Sequence, residues 1–128
     1  MPHLTMEYSA NLDARVDLAE LCTTVQQAIM ATGLFELGAV RVRTLRADHY
    51  AVADRLPANG FIDMVFRIST GRRLEDRKAA GEAIFAAATK ALGGLFETPH
   101  FALSLEVREI DPALSWKKNS IHLRLRTK

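Results

Sequence analysis

Hydrophobic and polar positions alternate from Pro2 to Tyr8, with Leu4, Met6 and Tyr8 on one side and His3, Thr5 and Glu7 on the other. That period of two predicts a strand with one buried face. After Asn11 the period lengthens: Leu18, Leu21, Cys22, Val25 and Ile29 form the apolar stripe of a helix, and Thr32-Gly33 supplies the residues that end one. Val40, Val42 and Thr44 then alternate with Arg41, Arg43 and Leu45, which predicts a second strand over 39–46. The stretch from Ala47 to Gly60 has no period and reads as a connection.

The same order then repeats. Ile62, Met64, Phe66 and Ile68 face away from Asp63 and Arg67 in a third strand. Leu74, Gly81, Ile84, Phe85, Ala88, Leu92 and Leu95 recur at helical spacing within a helix over 73–95 that Gly93-Gly94 loosens. Phe101, Leu103, Leu105 and Val107 alternate with polar residues in a fourth strand. The pattern is strand-helix-strand written twice, at about 2–46 and 61–109, and predicts an α/β (α+β) fold. Its four-stranded sheet carries two helices on one face and leaves the other face without a helix of its own. After Pro112, Ile121, Leu123 and Leu125 alternate with Ser120, His122, Arg124 and Arg126, which predicts a short C-terminal strand. Residues 113–128 contain five Lys or Arg and no acid. Such a tail, 112–128, suits pairing with the edge of another copy.

The length of 128 residues fits one domain, 1–128. With 48% apolar and 25% charged residues the composition is that of a globular protein, and the net charge of +2 exerts no global pull on nucleic acid or anionic lipid. The basic tail is too short to change that. A lone cysteine, Cys22, excludes an internal disulfide and cysteine-based zinc clusters, and is simplest in a reducing compartment. No apolar run approaches the roughly 20 residues that cross a bilayer, and no export signal is visible, so the expected location is the cytoplasm. The four histidines, His3, His49, His100 and His122, have no metal-ligand spacing, and no nucleophile elbow or phosphate-cradling loop appears.

Chemistry gathers instead at the N-terminus. Pro2 suits the first position of a strand for conformational reasons alone. Removal of Met1, usual before a small second residue, would also make it a secondary amine beginning a buried strand. Burial and nearby cations favour the neutral form of such an amine, which is then a general base near neutral pH. Arg41 and Arg43 lie on the side of their strand away from the helices, and Arg72 follows Thr70-Gly71 at a strand-to-helix junction where an anion can be held. Ion pairs with Glu7, Asp63 or Glu106 are the simpler use of such arginines.

Four separated blocks resemble one family. They are the start Met-Pro-His-Leu; Ala31-Thr32-Gly33-Leu34-Phe35 leading to Arg41-Val42-Arg43; Gly71-Arg72-Arg73-Leu74-Glu75-Asp76-Arg77 with Gly81-Glu82; and Leu103-Ser104-Leu105-Glu106 followed by Glu109-Ile110-Asp111-Pro112, Lys118-Asn119 and His122. Together they resemble 5-carboxymethyl-2-hydroxymuconate isomerase, of the tautomerase superfamily. The resemblance covers nearly the whole chain and is weakest over 45–60. It implies duplicated βαβ units assembled as homotrimers, with Pro2 as catalytic base and Arg41 and Arg72 accompanying it in catalysis and substrate binding. Arg43 is a further candidate for substrate binding. The implied substrate is the tricarboxylate 5-carboxymethyl-2-hydroxymuconate from homoprotocatechuate (4-hydroxyphenylacetate) degradation. It becomes the unsaturated ketone 5-oxopent-3-ene-1,2,5-tricarboxylate, with no cofactor and no metal. The alternatives are a relative acting on another unsaturated acid, and a non-enzymatic binding module for an anionic metabolite.

Overall fold

The computed structural model of the chain describes residues 1–127. Strands β1 (His3–Ser9), β2 (Arg41–Ala47), β3 (Gly60–Ser69) and β4 (Phe101–Ile110) form one sheet in the order β2-β1-β3-β4. β1 and β2 are parallel, β3 and β4 are parallel, and the two pairs join through an antiparallel β1–β3 contact. Helix α1 (Leu18–Ala31) connects β1 to β2, and α2 (Leu74–Ala91) connects β3 towards β4. The duplicated pattern of the sequence is therefore a duplicated βαβ architecture, with its two halves meeting at the centre of the sheet.

Both helices lie over the same face. Leu21, Val25 and Ile29 of α1 and Ala80, Ile84 and Ala88 of α2 share one core with Leu4, Met6, Ile62, Met64, Phe66 and Ile68 of the central strands. Met6 and Met64 are register partners at the middle of the antiparallel contact, and both are fully buried. Burial of side chains of this size contributes about 1.5–3 kcal/mol each. α1 starts at Asp17, whose carboxylate accepts from the Glu20 N–H at 3.0 Å, and stops where Gly33 takes φ of +72°.

Two elements differ from the sequence pattern. The second helix divides: α2 ends at Ala91 and a separate four-residue turn, α3 (Gly93–Phe96), follows. Leu74 and Phe85, assigned by periodicity to the inner stripe, are 53% and 38% exposed, while Ala80 takes the buried position. The larger difference is at the C-terminus. The expected strand is instead a 3-10 turn, Pro112–Leu114, and a helix, α4 (Ser120–Arg126). No neighbouring strand meets this segment among the described residues. Asn119 caps a helix there, its side-chain oxygen accepting from the Ile121 and His122 N–H groups at 2.9 and 3.2 Å. Arg126 reaches both Glu36 carboxylate oxygens, at 2.5 and 2.6 Å, and fastens the helix. The expected alternation was a coincidence of a helix too short to display its own period; the half-buried side chains are His122 and Leu125, three apart. Lys128, the end of the expected strand, lies outside the described residues.

Met64→Ala is expected to lower unfolding stability by about 2–5 kcal/mol, because it removes three heavy atoms from the centre of a closed core. Urea unfolding followed by circular dichroism checks this.

Candidate active site

The antiparallel contact decides which chain segments meet. His3 pairs with Arg67, so the beginning of β1 lies beside the end of β3; the same His3 pairs with Arg41, the first residue of β2. Ser69 at the end of β3 pairs with Ile110 at the end of β4. One end of the sheet therefore gathers the N-terminus, Arg41, the turn Ser69–Arg72 and the chain leaving β4. Gly71, with φ of +103°, makes that turn in a conformation a side chain resists, and Arg72 follows it immediately.

Two cavities open at this end. One, of about 480 Å³, is lined by Pro2, Phe35, Arg72, Asn119 and His122 among others; the second, of about 370 Å³, is lined by His3, Arg41, Pro112, Trp116 and Lys118 among others. Met1, Ser69 and Lys117 line both. The Met1 ammonium donates to Ser69 Oγ at 3.1 Å, and Arg41 Nη1 lies 3.0 Å from Met1 Sδ. Met1 thus forms a partition, and while Met1 is attached the Pro2 nitrogen is an amide.

The arginines are held without neutralising them. Arg41 donates to the Ala39 carbonyl at 2.8 Å, and Arg72 to the carbonyls of Leu34 and Ser69 at 3.2 and 3.4 Å. The Arg72 guanidinium also stacks over the Phe35 ring, 4.5 Å from its centroid. Phe35 in turn packs edge-on against core Phe66 at 5.4 Å. None of Arg41, Arg72 and Lys117 has a carboxylate within ion-pair distance among the described residues, whereas Arg46 has two and Arg73, Arg77, Arg108 and Arg126 one each. Glu36 is the carboxylate in the Pro2 cavity, and Arg126 occupies it. The hydrogen bond from Arg126, foremost, holds its carboxyl below the usual range, so it stays an anion.

This cationic surplus acts on the chain terminus. Burial, then the charges of Lys117, Arg72 and Arg41, lower the pKa of the terminal amine from its ordinary 8.0. Here the Met1 amine reports the field at the site; Pro2 nitrogen, which becomes the terminus once Met1 is cleaved, lines the same Arg72 and Lys117 cavity.

Of the residues singled out in the sequence, Pro2, Arg41 and Arg72 come together. Arg43 does not join them: it lines neither cavity, and its Nη1 lies 3.3 Å from His3 Nδ1 on the exposed sheet face. Neither Arg41 nor Arg43 pairs with Glu7, Asp63 or Glu106. Phe35, Ser69, Lys117 and Asn119 escaped the sequence reading as site residues. Phe35 and Asn119 stood within motifs without a role, and the acid-free tail was the signal that pointed at Lys117. No cluster of metal-binding side chains and no helix long and apolar enough to cross a membrane occur among the described residues.

Phe35→Leu is expected to cost about 1 kcal/mol of stability and to loosen Arg72 by removing its aromatic platform, a contact worth about 0.5–1 kcal/mol. In turnover assays the KM for a carboxylate substrate should rise several-fold while kcat changes less.

Known proteins resemble this chain in sequence and in fold. The family model described as 5-carboxymethyl-2-hydroxymuconate isomerase matches residues 2–125. The curated 5-carboxymethyl-2-hydroxymuconate Delta-isomerase of Escherichia coli is 35% identical over 122 residues, covering 95% of this chain and 97% of that protein. A crystal structure of a 5-carboxymethyl-2-hydroxymuconate isomerase from Deinococcus radiodurans R1 superposes with a TM-score of 0.91 at 36% identity, covering 98% of this chain and 94% of that one. A fused 4-OT described as a symmetric trimer shares the fold, with a TM-score of 0.66 at 16% identity over 91% of this chain and 93% of its own. A chain matched over nearly its whole length by this family's model, and superposing on a member of it, belongs to the 5-carboxymethyl-2-hydroxymuconate isomerase family of isomerases.

Proposed function

We propose that the protein converts 5-carboxymethyl-2-hydroxymuconate to its unsaturated keto isomer with Pro2 as the general base, after Met1 has been removed. The observation that carries this reading is the gathering of Arg41, Arg72 and Lys117, none of them paired with an acid, around the chain terminus. A base that must be neutral and a substrate that must be anionic are served by the same field.

The neutral Pro2 nitrogen takes the proton from the hydroxyl on C2 of the dienol. Electron density moves along the conjugated chain, the oxygen becomes a ketone, and the proton returns from Pro2 to C5. No proton is gained or lost overall. In between, negative charge is shared between the C2 oxygen and C5. Arg41 and Arg72 turn from carbonyl oxygens to the carboxylates and the developing enolate, and preorganised cations of this kind contribute about 3–4 kcal/mol to such a transition state. The chain works as a homotrimer in this reading. Among the described residues no helix covers the sheet face away from α1 and α2, and Leu114, Trp116 and Leu123 of the C-terminal segment are 72%, 86% and 67% exposed in the single chain.

Pro2→Ala should abolish nearly all ketonisation of 5-carboxymethyl-2-hydroxymuconate, followed by ultraviolet absorbance, with an unchanged circular dichroism spectrum; near wild-type turnover would sink the mechanism. A preparation that keeps Met1, identified by intact mass, should be equally inactive. The acid limb of kcat/KM should lie below the ordinary range of a prolyl amine, since the cations that lower the Met1 amine also disfavour the protonated Pro2 base. Added salt screens those cations and should move that limb to higher pH. Sedimentation should give three times the 14.2 kDa chain mass.

A further inference from the structure

The substrate proposed above has three carboxylates, two at the ends of a six-carbon chain and one on a carboxymethyl branch. Arg41 and Arg72 lie in different cavities, one on each side of Met1, and suit the two chain ends. The third carboxylate hangs from C5, the carbon that receives the proton, so its placement decides whether C5 faces the base.

Lys117 has the required position. When Met1 leaves, the partition between the cavities goes with it, and Ser69 and Lys117 remain as the residues common to both sides. Lys118 lines the Arg41 cavity but not the Pro2 cavity. With Met1 present, its ammonium sits among Lys117, Arg72 and Arg41, a cation in the field of three others, at a place electrostatically suited to an anion. The segment bearing Lys117 is stiffened before it and anchored after it. Asp111 Oδ1 accepts from the Ala113 N–H at 2.9 Å, a cap within the turn; Asn119 Nδ2 donates to the Gly38 carbonyl at 2.8 Å. Gly38 admits the start of α4 because it lacks a side chain: a Cβ there would meet His122 Nδ1 at 2.8 Å. Between the turn and the anchor, the lysine's flexible stem lets its ammonium follow a carboxylate on a rotatable branch.

We propose that Lys117 is a specificity-determining residue that binds the carboxylate of the carboxymethyl branch and so presents C5 to the Pro2 nitrogen. The inference rests on the function proposed above. It explains why an exposed loop lysine lines both cavities on a segment anchored at Asn119 to Gly38.

Four processed proteins, wild type, Lys117→Met, Lys117→Arg and Pro2→Ala, would be assayed on 5-carboxymethyl-2-hydroxymuconate and on 2-hydroxymuconate, which lacks the branch. The pH is set on the plateau of each profile, so that the base is neutral throughout. Losing one charge-assisted contact should raise KM for the tricarboxylate in Lys117→Met about tenfold more than it raises KM for the dicarboxylate, and that difference should be largely removed in Lys117→Arg. Equal losses on both substrates, or no loss on either, would overturn the assignment of Lys117. Dependence on Pro2 in those same assays would leave the proposed function standing. A wild-type enzyme that turns over neither substrate would overturn both.

Discussion

The antiparallel pairing of β1 with β3 is the contact on which the rest of the molecule depends. Each βαβ half, taken alone, has a parallel strand pair and one helix, which is too little to bury a core. Joined at β1 and β3, the halves bury Met6 against Met64 and bring α1 and α2 side by side over the same face. The direction of that pairing matters as much as its existence. A parallel join would place the start of β1 at the start of β3; the antiparallel one places it at the end of β3, next to Ser69, Gly71 and Arg72.

From that geometry follows an end of the sheet where the chain terminus meets guanidinium and ammonium groups without acids to neutralise them. Elsewhere Arg46, Arg73, Arg77, Arg108 and Arg126 pair with carboxylates. Here the backbone carbonyls of Leu34, Ala39 and Ser69 hold Arg41 and Arg72, orienting them while leaving their charge available. Carbonyl oxygens satisfy the donors of a guanidinium but cancel no charge, so such an arrangement is suited to exchanging them for an anionic ligand. Phe66, Phe35 and Arg72 form a continuous stack from the core to the cavity, so packing in the interior holds a charge at the surface.

The C-terminal segment shows how far local pattern reaches. Four strands and two long helices were legible because each carries enough residues to display its period, and each period answers to one shared core. Seven residues of α4 cannot do so. Ile121, Leu123 and Leu125 alternate as a strand would, but the Asn119 cap and the Arg126–Glu36 contact, which joins positions ninety residues apart, decide for a helix. Leu74 and Phe85 fit the helical period of α2 yet line an open groove beside Leu105 and Val107 of β4, while Ala80, Ile84 and Ala88 form the helix's buried stripe.

The sequence by itself determined the alternation that builds the sheet, the duplication of strand-helix-strand, and the candidates Pro2, Arg41 and Arg72, since these depend on residue type and near-neighbour spacing. Only the tertiary structure decided that Arg43 stands apart from them, that Met1 divides the site, and that Lys117 reaches both sides of it. Those outcomes depend on strand register and on contacts between residues scores of positions apart. Periodicity along a chain carries no record of which distant segments will share one end of a sheet.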